Sequence, residues 1–301
     1  MGCCFGRTRA QRLRPIEVED EQPPLEQPWV TEEWETRTMW TLDERADAEN
    51  VFDILAVFTS DGAFMESDDR IDQDQLLQNI HDCIQEMNEA FLHSGITVRG
   101  RLVAIERFSP PPPFITTSMY RDALLGEPEN QEERRRRRQE PIPTDMDTYY
   151  GTIRNTYLTL RERYRPHVLL FVSGNIGDPI SGGIGVTNWD ESIAVVPAAK
   201  LLDEHAPAHE VGHLFGCEHN REAVIVRTGA SCYGYIADHW RTIMAYNTTS
   251  PQRRVPIIGR FSNPDVTYDD GEHPPHVTGD AGANNAAQIN TFAPTILGIR
   301  D

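Results

Sequence analysis

The first sustained apolar run, VFDILAVFTSD at residues 51–61, is short and ends in turn residues, which predicts a buried strand. From Ile71 to Leu92 the pattern changes period. Leu76, Leu77, Ile80, Ile84, Met87 and Phe91 recur at helical spacing, predicting an amphipathic helix that Gly95 stops. ITVRGRLVAIERF, residues 96–108, alternates as a strand with one more polar face. A helix is predicted over roughly 147–164, followed by the strand HVLLFV at 167–172. GGIGVTNWD and SIAVVPAA supply two more strand candidates. Strands alternating with helices imply an α/β sheet with helices packed on it. No internal repeat is visible.

Two stretches break the pattern. Residues 1–48 are rich in Glu, Gln and Pro without an apolar period, and read as a disordered or extended tail. Trp29, Trp34 and Trp40 are its exceptions, suited to packing on a domain surface or covering a groove. Residues 109–146 hold Pro110–Pro113 and EPENQEERRRRRQEPIP, the mark of a solvent-exposed insertion. Its five consecutive arginines fit a processing site, a localisation signal or an anionic-partner patch, and the surrounding glutamates fit a solvated loop. The folded domain is therefore expected over 49–301.

Composition narrows the class. In 301 residues, 39% are hydrophobic and 25% charged, as in a globular protein carrying some low-complexity sequence. A net charge of −19 argues against a nucleic-acid surface, which needs Lys and Arg for phosphates. No apolar run is long enough to cross a bilayer, and the start lacks the apolar core of a secretory signal. An intracellular or lipid-anchored location is expected, with secretion by a non-standard route as the alternative. Gly2, Cys3 and Cys4, followed by Arg7, Arg9, Arg12 and Arg14, resemble a dual-acylation start: myristate on Gly2, palmitate on a cysteine, and membrane-surface association. Gly6 stands where that signal has Ser or Thr. Five cysteines are too few for a disulfide scaffold. Cys83 reads as a buried thiol, whereas Cys217 and Cys232 could be bridged in an oxidising compartment.

The chemistry concentrates at residues 209–219, HEVGHLFGCEH. On a helix, His209 and His213 lie one turn apart on one face, so both imidazoles can reach one zinc ion. Glu210 stands beside them, suited to take a proton from water rather than to bind metal. Gly216 lets the backbone leave the helix sharply, bringing His219 round as third ligand. Three protein nitrogens leave one position open, as a catalytic zinc site requires. Five residues so placed arise by chance in about one in 10⁵ chains of this length. Coincidence is a poor account of them.

The motif resembles that of the metzincin zinc peptidases, and RTIMAYN at 241–247 resembles their Met-turn. The resemblance implies Met244 as a hydrophobic floor to the metal. It also implies Tyr246 as a residue that approaches the ion and hydrogen-bonds the reaction intermediate. VFDILAVFTSD, ITVRGRLVAI and HVLLFV look like the N-terminal subdomain of reprolysin-like members; RFSNPDVTYDDG and TGDAGANNAAQIN resemble peptidyl-aspartate metallopeptidases. The implied fold is zincin-like, a mixed, mostly parallel twisted sheet with an N-terminal subdomain at 49–216 and a smaller C-terminal subdomain at 217–301. The implied activity is a zinc endopeptidase. Extended peptide substrate would pair with an edge strand before the zinc helix, here Gly183, Ile184, Gly185 and Val186, which also read as an ordinary Gly-rich loop. Asn220 departs from the Asp or Glu that follows the third histidine in related subfamilies.

Other features keep plainer readings. His205 starts the helix as a surface or capping residue, and His239 is placed to pack on the Met-turn. Asp265, Asp269, Asp270 and Asp280 could gather calcium but lack the spacing of a calcium loop. The rival functional class is a membrane-tethered interaction protein with a catalytically silent zincin fold. Glu210 argues against it, since a binding module needs no general base beside a metal.

Overall fold

The computed structural model describes residues 37–38, 49–59, 73–108, 117–125, 146–173, 184–187, 191–223, 231–247 and 254–298. Gly2, Cys3, Cys4, the three tail tryptophans, Gly183 and the arginine run lie outside them.

Among the described residues six strands form one sheet: β1 (Arg37–Thr38), β2 (Val51–Thr59), β3 (Arg99–Phe108), β4 (Val168–Ser173), β5 (Ile184–Thr187) and β6 (Ser192–Pro197). Their order is β1-β3-β2-β4-β6-β5. The four central strands are parallel, whereas β1 and β5 run antiparallel at the two edges. The sheet is thus mixed and mostly parallel. β1 comes from the segment read as tail, so the ordered sheet reaches further toward the N-terminus than residue 49.

Helices α1 (Gln73–His93) and α4 (Ala206–Leu214) pack with α5 (Asn285–Leu297) on one face of the sheet. Helices α2 (Thr117–Leu125) and α3 (Met146–Tyr164) cover the other. Parallel strands with both faces covered carry apolar residues on both sides. On β2, Phe52, Ile54, Ala56 and Phe58 enter the first core while Leu55 and Val57 enter the second. On β3 the arginines are the least buried positions, Arg99 exposed and Arg101 and Arg107 partly buried. Glu106 of this strand is buried, accepting a hydrogen bond from the Tyr164 hydroxyl at 2.5 Å. The register shifts between Ile54 and Leu55, which face Leu102 and Ala104, so Val103 is an extra residue. That is why Leu102 and Ile105, three apart, share one core.

The expectation of a wholly exposed insertion over 109–146 is also corrected. Tyr120, Ala123 and Leu124 of α2 are buried, with the Tyr120 ring 4.8 Å from that of Phe171. The apolar positions of so short a helix did not stand out beside the proline and arginine runs.

Helix α1 ends as its sequence predicts. Gly95 takes φ 72°, the Ile96 N–H reaches the Phe91 carbonyl at 2.9 Å, and the Gly95 N–H reaches Leu92 at 3.2 Å. These two bonds satisfy carbonyls the helix leaves open. Phe91 then joins Phe52, Phe215 and Phe261, with ring centroids 5.4–6.4 Å apart. Phe261, Ile289 and Ile296, from beyond residue 217, lie in the same core cluster as Phe52 and Met87. The segments before and after the metal motif therefore share one hydrophobic interior. A two-stranded ribbon, β7 (Thr267–Tyr268) with β8 (His276–Val277), stands apart from the main sheet.

No helix among the described residues is long and apolar enough to cross a membrane.

Candidate metal centre

Helix α4 begins without a side-chain cap. His205 occupies the N-cap position in a left-handed conformation, φ 57°, and its Nδ1 lies 3.6 Å from a Glu86 carboxylate oxygen. Pro207, in the first turn, has no N–H to leave unsatisfied. At its other end the helix stops in a Schellman turn. The Cys217 N–H reaches the Gly212 carbonyl at 3.0 Å, the Gly216 N–H reaches His213 at 2.9 Å, and Gly216 takes φ 80°. Gly216 thus makes the sharp exit that the spacing predicted. A Cβ there would also come within 2.7 Å of Gln288 Nε2.

This turn brings three imidazoles together. The Nε2 atoms of His209, His213 and His219 stand 3.1 Å (209–219), 3.2 Å (209–213) and 3.0 Å (213–219) apart. Nδ1 of His209 lies 2.8 Å from the Ile243 carbonyl oxygen, and Nδ1 of His213 lies 2.8 Å from that of Cys217. Each Nδ1 must therefore carry the proton, leaving the Nε2 lone pairs of His209 and His213 turned toward each other. Two lone pairs at 3.2 Å repel unless they share a cation. Tetrahedral ligands at about 2.0–2.1 Å from one zinc ion stand about 3.3 Å apart, close to the measured spacings. The residues fit a metal ion. Among the described residues this is the one group of three or more His, Cys, Asp or Glu able to hold one.

Burial, then the neighbouring His213, lowers the pKa of His209 to about 3 and that of His219 to about 4. Burial also lowers that of His213. All three rings are therefore neutral near pH 7, the state that binds metal.

Glu210 is buried beside the triad. Met244 is fully buried and packed so closely on α4 that a Cβ on Gly212 would lie 2.5 Å from the Met244 sulfur. Tyr246 stacks on His219 at 3.8 Å between centroids and lies nearly parallel to His209, 11° between planes at 5.6 Å. It is 48% exposed, so one side of its ring faces outward from the triad. Burial and the Glu210 carboxylate raise its phenol above the ordinary value of 10.0, which keeps the proton on the oxygen at neutral pH. At the sheet edge, Ile184, Gly185 and Val186 belong to β5, which lies against α4.

These contacts place Arg241–Ala245 against the metal helix. The chain belongs to Metallo-peptidase family M12. Residues 49–262 match that family's sequence pattern, well over half the chain. A 73-residue stretch is 38% identical to a peptidyl-Asp metalloendopeptidase of Pseudomonas fragi, over 21% of this chain and 44% of that protein. The chain thus spans less than half the length of this curated relative. A solved structure described as a chaperone–substrate complex superposes with a TM-score of 0.53 at 16% identity, over 83% of this chain and 39% of that one. That likeness concerns the fold alone. Membership of the M12 family accounts for the zincin-like sheet and the His motif together.

Several readings shift against the M12 site. The contact shown for His239 is its stacking on His273, 3.6 Å between ring centroids. Asp270 bonds His273 and Asp280 bonds Arg221, each also accepting backbone N–H groups of its own loop, so these carboxylates stabilise turns. Cys217 and Cys232 are buried thiols, not a disulfide. The sequence reading missed the backbone acceptors of Ile243 and Cys217, which no residue type announces. It also passed over Gly212. A glycine inside a short helix, beside two ligand positions, costs about 1 kcal/mol against alanine and signals a close approach.

Proposed function

We propose that this chain is a zinc-dependent endopeptidase, with His209, His213 and His219 holding the ion and Glu210 as general base. The observation that carries the reading is the convergence of the three Nε2 atoms within 3.2 Å, with the Nδ1 protons of His209 and His213 committed to carbonyls. Family membership and the Pseudomonas fragi relative support the peptidase class.

A zinc ion held there would supply Lewis acidity, acidifying water and polarising a peptide carbonyl. The protein's own residues do the rest. The Glu210 carboxylate takes the proton from the attacking water and passes it to the leaving amine, so one group serves both proton transfers. Tyr246, half-exposed with a protonated phenol, is placed to donate a hydrogen bond to the oxygen on which charge develops. The turn holding Met244 is the Met-turn in this reading. Its Ile243 carbonyl orients His209 while the thioether fills the floor beneath. Ile184–Thr187 is the edge strand of the sheet among the described residues and lies beside α4, so an extended peptide can add main-chain hydrogen bonds along it.

Cleavage-site profiling on a mixed peptide library, with zinc-loaded protein and with a chelator, tests the assignment. Chelator-sensitive cleavage at internal bonds is expected. A protein that retains one equivalent of zinc yet cleaves nothing would leave the silent-fold alternative standing.

A further inference from the structure

The peptide unit joining Ala245 to Tyr246 is held at both of its polar atoms by buried side chains. Its carbonyl oxygen accepts from Arg241 Nη1 at 2.6 Å, and its N–H donates to Asn220 Oδ1 at 2.9 Å. Arg241 is 4% exposed and Asn220 is 3% exposed. A trans peptide is planar, with its C=O and N–H pointing opposite ways, so fixing both ends fixes the plane. That plane sets where the Tyr246 side chain leaves the backbone.

Both clamping residues report on the metal triad. Asn220 directly follows His219. The second guanidinium nitrogen of Arg241 bonds the Glu204 carboxylate at 2.9 Å, two residues before the start of α4, which carries His209 and His213. One peptide unit is thus referenced to the third ligand on one side and to the ligand helix on the other.

The amide at position 220 has a second use. With Oδ1 committed to a backbone N–H, Nδ2 donates to Glu222 Oε2 at 3.0 Å. A carboxylate in its place would keep the acceptor but lose that donor, and would meet Glu222 as a like charge. This gives a local physical reason for an amide at position 220.

We infer that Asn220 and Arg241 are positioning residues that set the Tyr246 ring over the metal triad, with Asn220 tuned by Glu222. The catalytic part of this rests on the proposed role of Tyr246; the positional part does not.

The test uses the full chain with two readouts. The first is the NMR signal of the His219 ring, which the Tyr246 ring shifts by stacking at 3.8 Å. Tyr246→Phe should keep that ring-current shift and Tyr246→Ala should abolish it. Asn220→Ala is expected to move the signal toward the Tyr246→Ala position with zinc still bound. The second readout is kcat on a cleaved peptide. Tyr246→Phe should lower it by about 100-fold, and Asn220→Ala by roughly 10- to 100-fold through misplacement. The double variant should be no worse than Tyr246→Phe alone. Asn220→Asp should be impaired in both readouts and rescued by adding Glu222→Gln, which restores a donor facing an acceptor. A His219 signal unmoved by Asn220→Ala, or losses that simply multiply in the double variant, would overturn the clamp. Tyr246→Phe at the parent kcat, with the His219 signal still responding to Asn220→Ala, would instead remove Tyr246 from the chemistry and leave the positional role intact.

Discussion

The Nδ1–H of His209 donates to the Ile243 carbonyl at 2.8 Å, across 34 residues of sequence. That bond ties the first position of the His motif to the turn that buries Met244. It decides which ring nitrogen faces the triad, because an imidazole that gives its only proton to a carbonyl must present a lone pair at the other nitrogen. The metal helix and the turn beneath it therefore behave as one unit, and changes on either side should register at the ion.

Metal retention is the first consequence. His209→Ala and His213→Ala should each purify with far less than one equivalent of zinc while keeping the sheet core, since those imidazoles sit at the core's margin. Metal analysis of the purified variants, beside far-ultraviolet circular dichroism, checks this. Full zinc occupancy in either variant would contradict the assigned ligands.

Glu210→Gln separates binding from chemistry. The amide preserves volume and cannot take a proton, so zinc content should match the parent while kcat falls by about 10²- to 10⁴-fold. Peptide turnover at the parent rate would show the base to be elsewhere.

Gly212→Ala sets two effects against each other. Alanine in a helix interior gains about 1 kcal/mol over glycine. The new Cβ, however, would meet the Met244 sulfur at 2.5 Å and Phe261 Cε1 at 3.0 Å, both side chains being fully buried. Overpacking of that kind costs about 1–3 kcal/mol, so the clash is expected to win. Thermal unfolding of the zinc-free variant should show a lower Tm than the parent; an increase would mean that Met244 yields without strain.

Acid should weaken the metal-free protein. His209 and His219 titrate at about 3 and about 4 when folded, below the ordinary 6.5, because burial and then His213 oppose their charge. As pH falls through 6.5 the unfolded chain binds protons at these rings and the folded one does not, so unfolding is favoured. Their contribution is intact above about pH 6.5 and is lost progressively toward pH 4 and 3. Melting curves of metal-free protein at pH 7.5 and 5.5 check the sign, and His219→Gln should flatten the dependence. A Tm that rises on acidification over that window in the parent, and not in the variant, would contradict it.

Much of the architecture was legible because its signals are local. The apolar positions from Leu76 to Phe91 face one core because a helix repeats every 3.6 residues, and VLLFV, residues 168–172, is a strand buried on both faces because all five side chains are apolar. Helix α2 was not legible. It is a single short helix, and the burial of Tyr120, Ala123 and Leu124 depends on the surface around Phe171 that receives them. The same holds for His239, whose stacking partner His273 lies 34 positions away in sequence.

At the site, the sequence by itself determined which atoms can bind a metal. Spacing of four on a helix and a glycine exit dictate that three imidazoles converge, whatever surrounds them. Only the tertiary structure decided how those rings are oriented and what covers them. The Ile243 carbonyl at His209, the approach of Met244 to Gly212, and the hold of Asn220 on the Tyr246 N–H arise between segments distant along the chain. The physical reason is that backbone acceptors and packing distances carry no residue-type signature. They exist only once the α4 helix and the turn after Arg241 are pressed onto the same core.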